Sequence, residues 1–71
     1  MFETLEGLVL EAQMVSIHGA VFYDVVLLVG STARRVRFQD TFLHPAPKPG
    51  EYLRLELILG NVSDVQRILS P

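Results

Sequence analysis

Apolar and polar residues alternate with a period of two along most of the chain. The alternation is clearest in residues 52–59, where leucine fills every second position: Leu53, Leu55, Leu57 and Leu59. Successive side chains of a strand point to opposite faces, so this pattern predicts a strand buried on one side. Turn-forming residues interrupt the alternation at residues 18–19, 30–32, 44–50 and 60–61. They divide the chain into five short strands, which predicts an all-β fold forming one domain over residues 1–71.

The first two segments form a hairpin if His18 and Gly19 make a two-residue turn. Residues directly opposite one another then share a face of the sheet. One face becomes almost wholly apolar, with Leu8 opposite Val29, Leu10 opposite Leu27, Ala12 opposite Val25, and Met14 opposite Tyr23. We assign this face to the core.

A turn at Ser31 and Thr32 adds a third strand to the same sheet. It places Val36 opposite Leu27 and Phe38 opposite Val25, so both fall on the predicted core face. A slip of one residue in either hairpin would turn arginines toward the core instead. The agreement of the two turns therefore supports an antiparallel sheet.

The connection from Asp40 to Glu51 contains Pro45, Pro47 and Pro49. Proline restricts both its own backbone and that of the preceding residue, which excludes a regular helix through the middle of this segment. We expect an extended loop that crosses the rim of the sheet.

The last segment requires an irregularity, because a two-residue turn at Gly60 and Asn61 would put Asp64 in the core. A three-residue loop with a bulge places Val65 opposite Leu57, which continues the sheet. A short helix over residues 63–69, capped by Ser63, is the alternative. We favour the strand.

Five short strands with a long connection before the fourth resemble an OB-fold that lacks its usual helix. The resemblance is one of architecture and rests on no sequence motif. We therefore predict a small five-stranded antiparallel barrel, OB-like without the helix, with an SH3-like barrel as the alternative. The resemblance implies binding of single strands or oligosaccharides on the face of strands two and three.

The composition points to self-association. Hydrophobic residues make up 49% of the 71 residues, and a domain of this size buries only about 60% of its unfolded surface. The chain has no cysteine, so no disulfide stabilises it. The predicted register turns a set of apolar side chains away from the core, and we expect a second copy or another protein to cover them: Val9, Val15, Phe22, Val26 and Leu28.

The positive charge lies late in the chain. Residues 1–33 contain four acids and no lysine or arginine, whereas residues 34–71 contain six basic residues and four acids. The alternative function is therefore binding of single-stranded nucleic acid. The expected contacts are Arg35, Arg37, Tyr52 and Arg54. The net charge of −2 and the shortage of outward aromatic residues weigh against this alternative.

No motif for catalysis, a cofactor or a metal accompanies these features. His18 falls in a predicted turn and His44 in a predicted loop, and neither has an evident carboxylate partner. We expect no enzyme activity and no small-molecule substrate. The N-terminal segment carries acids where a secretory signal carries basic residues, and no apolar run reaches membrane-spanning length. We therefore expect a cytoplasmic protein without a membrane partner.

Overall fold

A computed structural model describes residues 1–70 and shows five antiparallel strands in one sheet. The all-β prediction is confirmed, and the last segment is a strand. The loop after the third strand begins with one 3-10 turn, Asp40–Phe42, and contains no regular helix. The described chain holds no helix with the length and hydropathy of a membrane span. The strands are β1 (Phe2–Ile17), β2 (Ala20–Val29), β3 (Thr32–Gln39), β4 (Tyr52–Ile58) and β5 (Asn61–Ile68).

The strands lie in the order β3-β2-β1-β4-β5. β4 returns through the long connection to lie beside β1, which is the Greek-key arrangement. β1 is therefore the central strand, and β3 and β5 are the two edges. Within residues 1–70 no backbone hydrogen bonds join β3 to β5, so hydrogen bonding leaves the sheet unclosed.

β1 belongs to two half-sheets. Its C-terminal part pairs with β2 and its N-terminal part with β4, and Leu8 lies opposite both Leu28 and Tyr52. Next to this junction, a Cβ atom built on Gly7 would lie 2.6 Å from the carbonyl oxygen of Leu28. Glycine therefore permits the end of β2 to pass close over β1, and the two half-sheets enclose the core.

The core consists of inward side chains from all five strands, together with Leu43 from the loop. Tyr23 and Phe38 meet edge to face at 5.8 Å between ring centroids, and Phe42 adds a second such contact to Phe38. Leu43 is buried against the same core, so the loop covers part of it, as expected for a loop that crosses the rim. The buried hydrophobic residues that form this core are Leu5, Val9, Tyr23, Val25, Leu27, Val36, Phe38, Leu43, Leu53, Leu55, Leu57 and Val65.

A β-bulge corrects the predicted pairing at the start of the first hairpin. The His18–Gly19 turn forms as predicted, with positive φ at both residues. Between Val9 and Glu11, however, the register shifts by one residue. An extra residue reverses the alternation beyond it, so Val9 faces the core at 1% exposure and Leu10 is 40% exposed. The predicted outward position of Val9 and inward position of Leu10 are both wrong.

The bulge also changes the surroundings of Leu8. Leu8 pairs with Leu28 on the outside of the sheet instead of with Val29 on the inside. Met14 lies opposite Tyr23 as predicted, but it is 63% exposed because the core ends before it. The predicted partner of Met14 is therefore correct, but its predicted place in the core is wrong.

The other two hairpins turn one residue earlier than predicted. β2 and β3 are joined at Gly30–Ser31, so Val36 lies opposite Val25 and Phe38 opposite Tyr23. This shift of two positions in the pairing preserves the face, because side chains alternate with a period of two. The predicted partners are wrong and the predicted core face is correct.

The β4–β5 turn lies at Leu59–Gly60, with φ of 52° and 82°. Leu59 is therefore 74% exposed at the tip instead of continuing the inward leucine row. The expected irregularity is present as a register shift beyond Leu57, and it places Val65 opposite Leu55. The bulged strand is thus correct, whereas the predicted three-residue loop is a two-residue turn and the predicted partner of Val65 is wrong.

Candidate interaction surface

We define the outer face as the side of β1, β2 and β3 that points away from the core. Its apolar members are half-buried by their neighbours within the chain. Four of the five predicted interface residues lie on it, whereas Val9 lies in the core. The apolar side chains of the outer face are Leu8, Val15, Phe22, Val26 and Leu28.

An apolar row extends from this face across the whole sheet. Leu8 lies opposite Leu28 on one side and Tyr52 on the other. Ala33 continues the row on β3, and Ile68 continues it on β5. Sequence reasoning missed Leu8 and Ile68, because the bulge after Leu8 and the register of β5 were both unknown.

Two opposite charges flank the centre of the outer face. Val26 on β2 lies between Glu11 on β1 and Arg35 on β3, and both charged side chains are exposed. No salt bridge among residues 1–70 includes either of them. A depression of about 320 Å³ lies over this row, and Gln13 and Asp24 also line it.

In the adjacent row, formed by Gln13, Asp24 and Arg37, the two opposite charges neutralise each other. Arg37 donates two hydrogen bonds to Asp24, from Nε to Oδ1 at 2.5 Å and from Nη2 to Oδ2 at 2.9 Å. The hydrogen bonds from Arg37 lower the pKa of Asp24; burial opposes this shift, and the positive charges of Arg37 and Arg35 add to it by smaller amounts. The charge of Arg37 is thus engaged within the chain.

The four predicted nucleic-acid contacts do not form one group. Arg35 and Arg37 lie on β3, while Tyr52 and Arg54 lie on β4, and β2 and β1 run between these strands. Arg54 donates a hydrogen bond from Nε to the carboxylate of Glu6. Two of the three arginines are therefore paired with an acid.

Arg67 ties the proline-containing loop to β5. Its Nε donates to Glu51 at 2.7 Å, and its Nη2 donates to the carbonyl oxygens of Pro45 and Ala46. The sequence held no signal for this cluster, because its members meet only after the loop folds back. A cleft of about 620 Å³ lies beside it, between the start of β4 and the end of β5, lined by Gly50, Glu51, Tyr52, Arg67, Ile68 and Leu69.

The loop cluster predicts a loss of stability in acid. The hydrogen bond from Arg67, followed by that from the Lys48 amide, holds the pKa of Glu51 below its usual range despite partial burial. A carboxyl whose pKa is lowered by folding stabilises the protein above its unfolded pKa, and this stability is lost as the pH falls through the lowered value. We expect the free energy of unfolding to decrease below about pH 4.3.

Urea denaturation across a pH series measures this effect. Glu51→Gln removes the titrating group, so the decrease between neutral and acid pH should become smaller. Asp24 contributes to the decrease in the same direction, so part of it should remain. Equal decreases in Glu51→Gln and in the unchanged protein contradict the assigned role of the Arg67–Glu51 pair.

The two histidines are exposed, His18 in the first turn and His44 in the loop. Within residues 1–70 no three histidine, aspartate or glutamate side chains converge where they could hold a metal ion. Comparison of the chain with models of protein families, with curated proteins and with solved structures finds no significant match. The geometry of the outer face is therefore the basis for assigning a function.

Proposed function

We propose that this protein is a non-catalytic interaction module that self-associates through its outer face. The strand β2 provides the main support, because it is apolar on both sides. Val25 and Leu27 are fully buried in the core, while Val26 and Leu28 are half-buried on the opposite side. A strand that is apolar on both faces is usually covered on both faces.

The outer side of the other half-sheet has a different character. There Glu6 pairs with Arg54, and Thr4 donates a hydrogen bond to Glu56 at 2.8 Å. Paired polar groups of this kind are typical of a face in contact with water, and the exposed apolar pair on that side, Phe2 and Ile58, lies at its far end. The contrast between the two halves supports the outer face of β1, β2 and β3 as the docking surface.

The edge strands favour association by faces over association by edges. β3 carries Arg34, Arg35 and Arg37, and charged residues on an edge discourage pairing with another strand. β5 contains the bulge near Ser63, which also disrupts a straight edge. Both features restrict edge-to-edge addition of a second sheet and leave the outer face as the more suitable surface.

We infer an OB-like barrel that is partly open between β3 and β5. The Greek-key order supports this finer description, since the OB-fold is a five-stranded, partly open Greek-key barrel. OB-folds bind ligands on the face of strands two and three, which corresponds to the outer face of this protein. This correspondence is an analogy of fold and adds weight only to the location of the surface.

Single-stranded nucleic acid is the alternative occupant of the same face. Its support is weaker, because Arg37 is engaged in a bidentate pair with Asp24 and Arg54 is paired with Glu6. A phosphate would have to displace both carboxylates before it could use these arginines. A protein surface is therefore the better-supported partner.

The substitution Val26→Asp tests the proposed surface. It places a carboxylate at the centre of the outer face, between Glu11 and Arg35, where self-association would bury one more acid than the single unpaired arginine can neutralise. Burial of an unpaired charge costs several kcal/mol, so we expect the dimer dissociation constant to rise at least about tenfold. Sedimentation velocity over a range of protein concentrations measures this change.

Leu59→Asp is the matched control for this substitution. Leu59 is 74% exposed at the β4–β5 turn, and its φ of 52° suits aspartate better than leucine. The control should therefore associate as the unchanged protein does. Circular dichroism establishes that both variants fold. A folded Val26→Asp variant with unchanged association removes the outer face from the interface.

A further inference from the structure

We infer that a second copy covers the outer face through a twofold axis along β2, with Glu11 of each protomer paired with Arg35 of the other. This inference rests on the proposed function and specifies the partner of the same surface. It is carried by the arrangement of charge around Val26.

The row through Val26 is self-complementary. Glu11, Val26 and Arg35 are direct neighbours on three adjacent strands. Adjacent strands lie about 4.8 Å apart, so Glu11 and Arg35 stand at nearly equal distances on either side of Val26. A half-turn about the direction of β2 exchanges the two sides. It therefore places Glu11 over Arg35 twice and leaves Val26 facing its own copy.

The two charges are available for such an exchange. The four salt bridges among residues 1–70 involve other arginines and other carboxylates, so neither Glu11 nor Arg35 has an ion pair there. Both side chains are exposed, and the depression of about 320 Å³ between them can receive side chains from the second copy. Because Glu11 and Arg35 of one copy match Arg35 and Glu11 of another, a second copy is the partner that this face fits.

The neighbouring row agrees with the same axis. Gln13, Asp24 and Arg37 are also direct neighbours on β1, β2 and β3. The half-turn places Arg37 over Gln13, whose amide oxygen can accept a hydrogen bond. Asp24 faces its own copy, but the bidentate contact from Arg37 neutralises it. No uncompensated like charges therefore meet in this row.

The area of the outer face limits the expected affinity of the dimer. β2 has ten residues, so three strands give a patch of about 33 by 14 Å. A standard stable interface buries roughly 800 Å² per partner, which is larger than this patch. We therefore expect a weak dimer with a dissociation constant in the micromolar range. The net charge of −2 per chain adds little repulsion between the two copies.

Charge reversal tests the exchange directly. Arg35→Glu places two glutamates opposite each other at both contacts, and Glu11→Arg does the same with two arginines. Each variant alone should dimerise at least about tenfold more weakly than the unchanged protein. An equimolar mixture of the two should recover dimerisation, because both contacts then join a glutamate to an arginine. Sedimentation velocity with one variant fluorescently labelled detects the mixed dimer.

A second pair of reversals provides the control. Asp64→Arg changes an exposed side chain on β5, and Lys48→Glu changes an exposed side chain in the loop before β4; both lie away from the outer face. These variants should associate as the unchanged protein does, separately and mixed. Circular dichroism excludes unfolding as the cause of any loss.

The outcomes separate this inference from the proposed function. Single variants at positions 11 and 35 that still dimerise normally, or a mixture that stays monomeric, overturn the twofold exchange. If Val26→Asp dissociates the dimer in that case, the outer face remains the interface in another orientation. If Val26→Asp also has no effect, the proposed function fails as well. An unchanged protein that is monomeric at 1 mM overturns both.

Discussion

Gly7→Ala is expected to lower the free energy of unfolding by about 3 kcal/mol, at the upper end of the range for overpacking a core. The added methyl carbon would lie 2.6 Å from the carbonyl oxygen of Leu28 and 3.1 Å from its carbonyl carbon. These are backbone atoms held between Leu8 and Ala33, so they cannot move aside as a flexible side chain can. Thermal denaturation should show a midpoint lower by roughly 15 °C.

Gly50→Ala is the comparison that isolates the steric effect. Gly50 has φ of 94°, which is unfavourable for alanine, but a Cβ there meets no atom within 4 Å. It should cost only about 1 kcal/mol. Equal losses in the two variants would show that the close approach of β2 to Gly7 does not determine the packing of the half-sheets.

Leu55→Ala is expected to cost 2 to 5 kcal/mol, about the range for removing a buried leucine side chain. Leu55 is fully buried and lies between Leu5 on β1 and Val65 on β5, which are themselves at most 5% exposed. These neighbours belong to paired strands and cannot easily collapse into the space. A domain of this size has a total stability of only about 5 kcal/mol, so the variant should be partly unfolded at 37 °C.

Leu59→Ala removes the same atoms from an exposed site. Leu59 is 74% exposed at the turn, so its loss should change the stability by about 0.5 kcal/mol or less. Urea denaturation of the two variants gives the difference. A loss below 1 kcal/mol for Leu55→Ala contradicts the position of this residue at the centre of the core.

The sequence predicted which faces of the strands are buried more reliably than it predicted which residues are partners. Val36 and Phe38 are core residues as predicted, although their partners on β2 differ by two positions. The face of a strand depends on local alternation, which is visible in the sequence. The register depends on the turn, and Gly30–Ser31 and Ser31–Thr32 are both plausible from composition alone.

Of the two bulges, the one in β1 could not be predicted from the sequence and the one in β5 could. Leu10, which has no partner on β2, lies just beyond the point where β1 changes its neighbour from β4 to β2, and the local sequence carries no sign of that change. Val9 and Leu10 are both apolar, so hydrophobicity cannot distinguish them. A bulge after β4 was predicted from the unfavourable burial of Asp64, because there the wrong register had a visible cost.

The candidate surface was predictable only for residues whose facing does not depend on the bulge in β1. Val15, Phe22 and Val26 lie between the bulge and the first turn, where the predicted register is correct, and Leu28 lies on β2, whose alternation the bulge in β1 does not change. All four lie on the outside as predicted. Leu8 required the bulge to be known. The predicted first hairpin puts Ala12 opposite Val25 and therefore Glu11 opposite Val26, as observed. Arg35 joins that row only in the observed register of β3.

The mass of the unchanged protein in solution is the most direct test of self-association through the outer face. Light scattering from about 10 µM to 1 mM, at low and high salt, with and without a mixed-sequence single-stranded oligonucleotide, measures it. We predict a monomer–dimer equilibrium that shifts toward the dimer with concentration, persists at high salt and is indifferent to the oligonucleotide. A protein that stays monomeric across this range, or gains mass only with the oligonucleotide at low salt, contradicts the proposal.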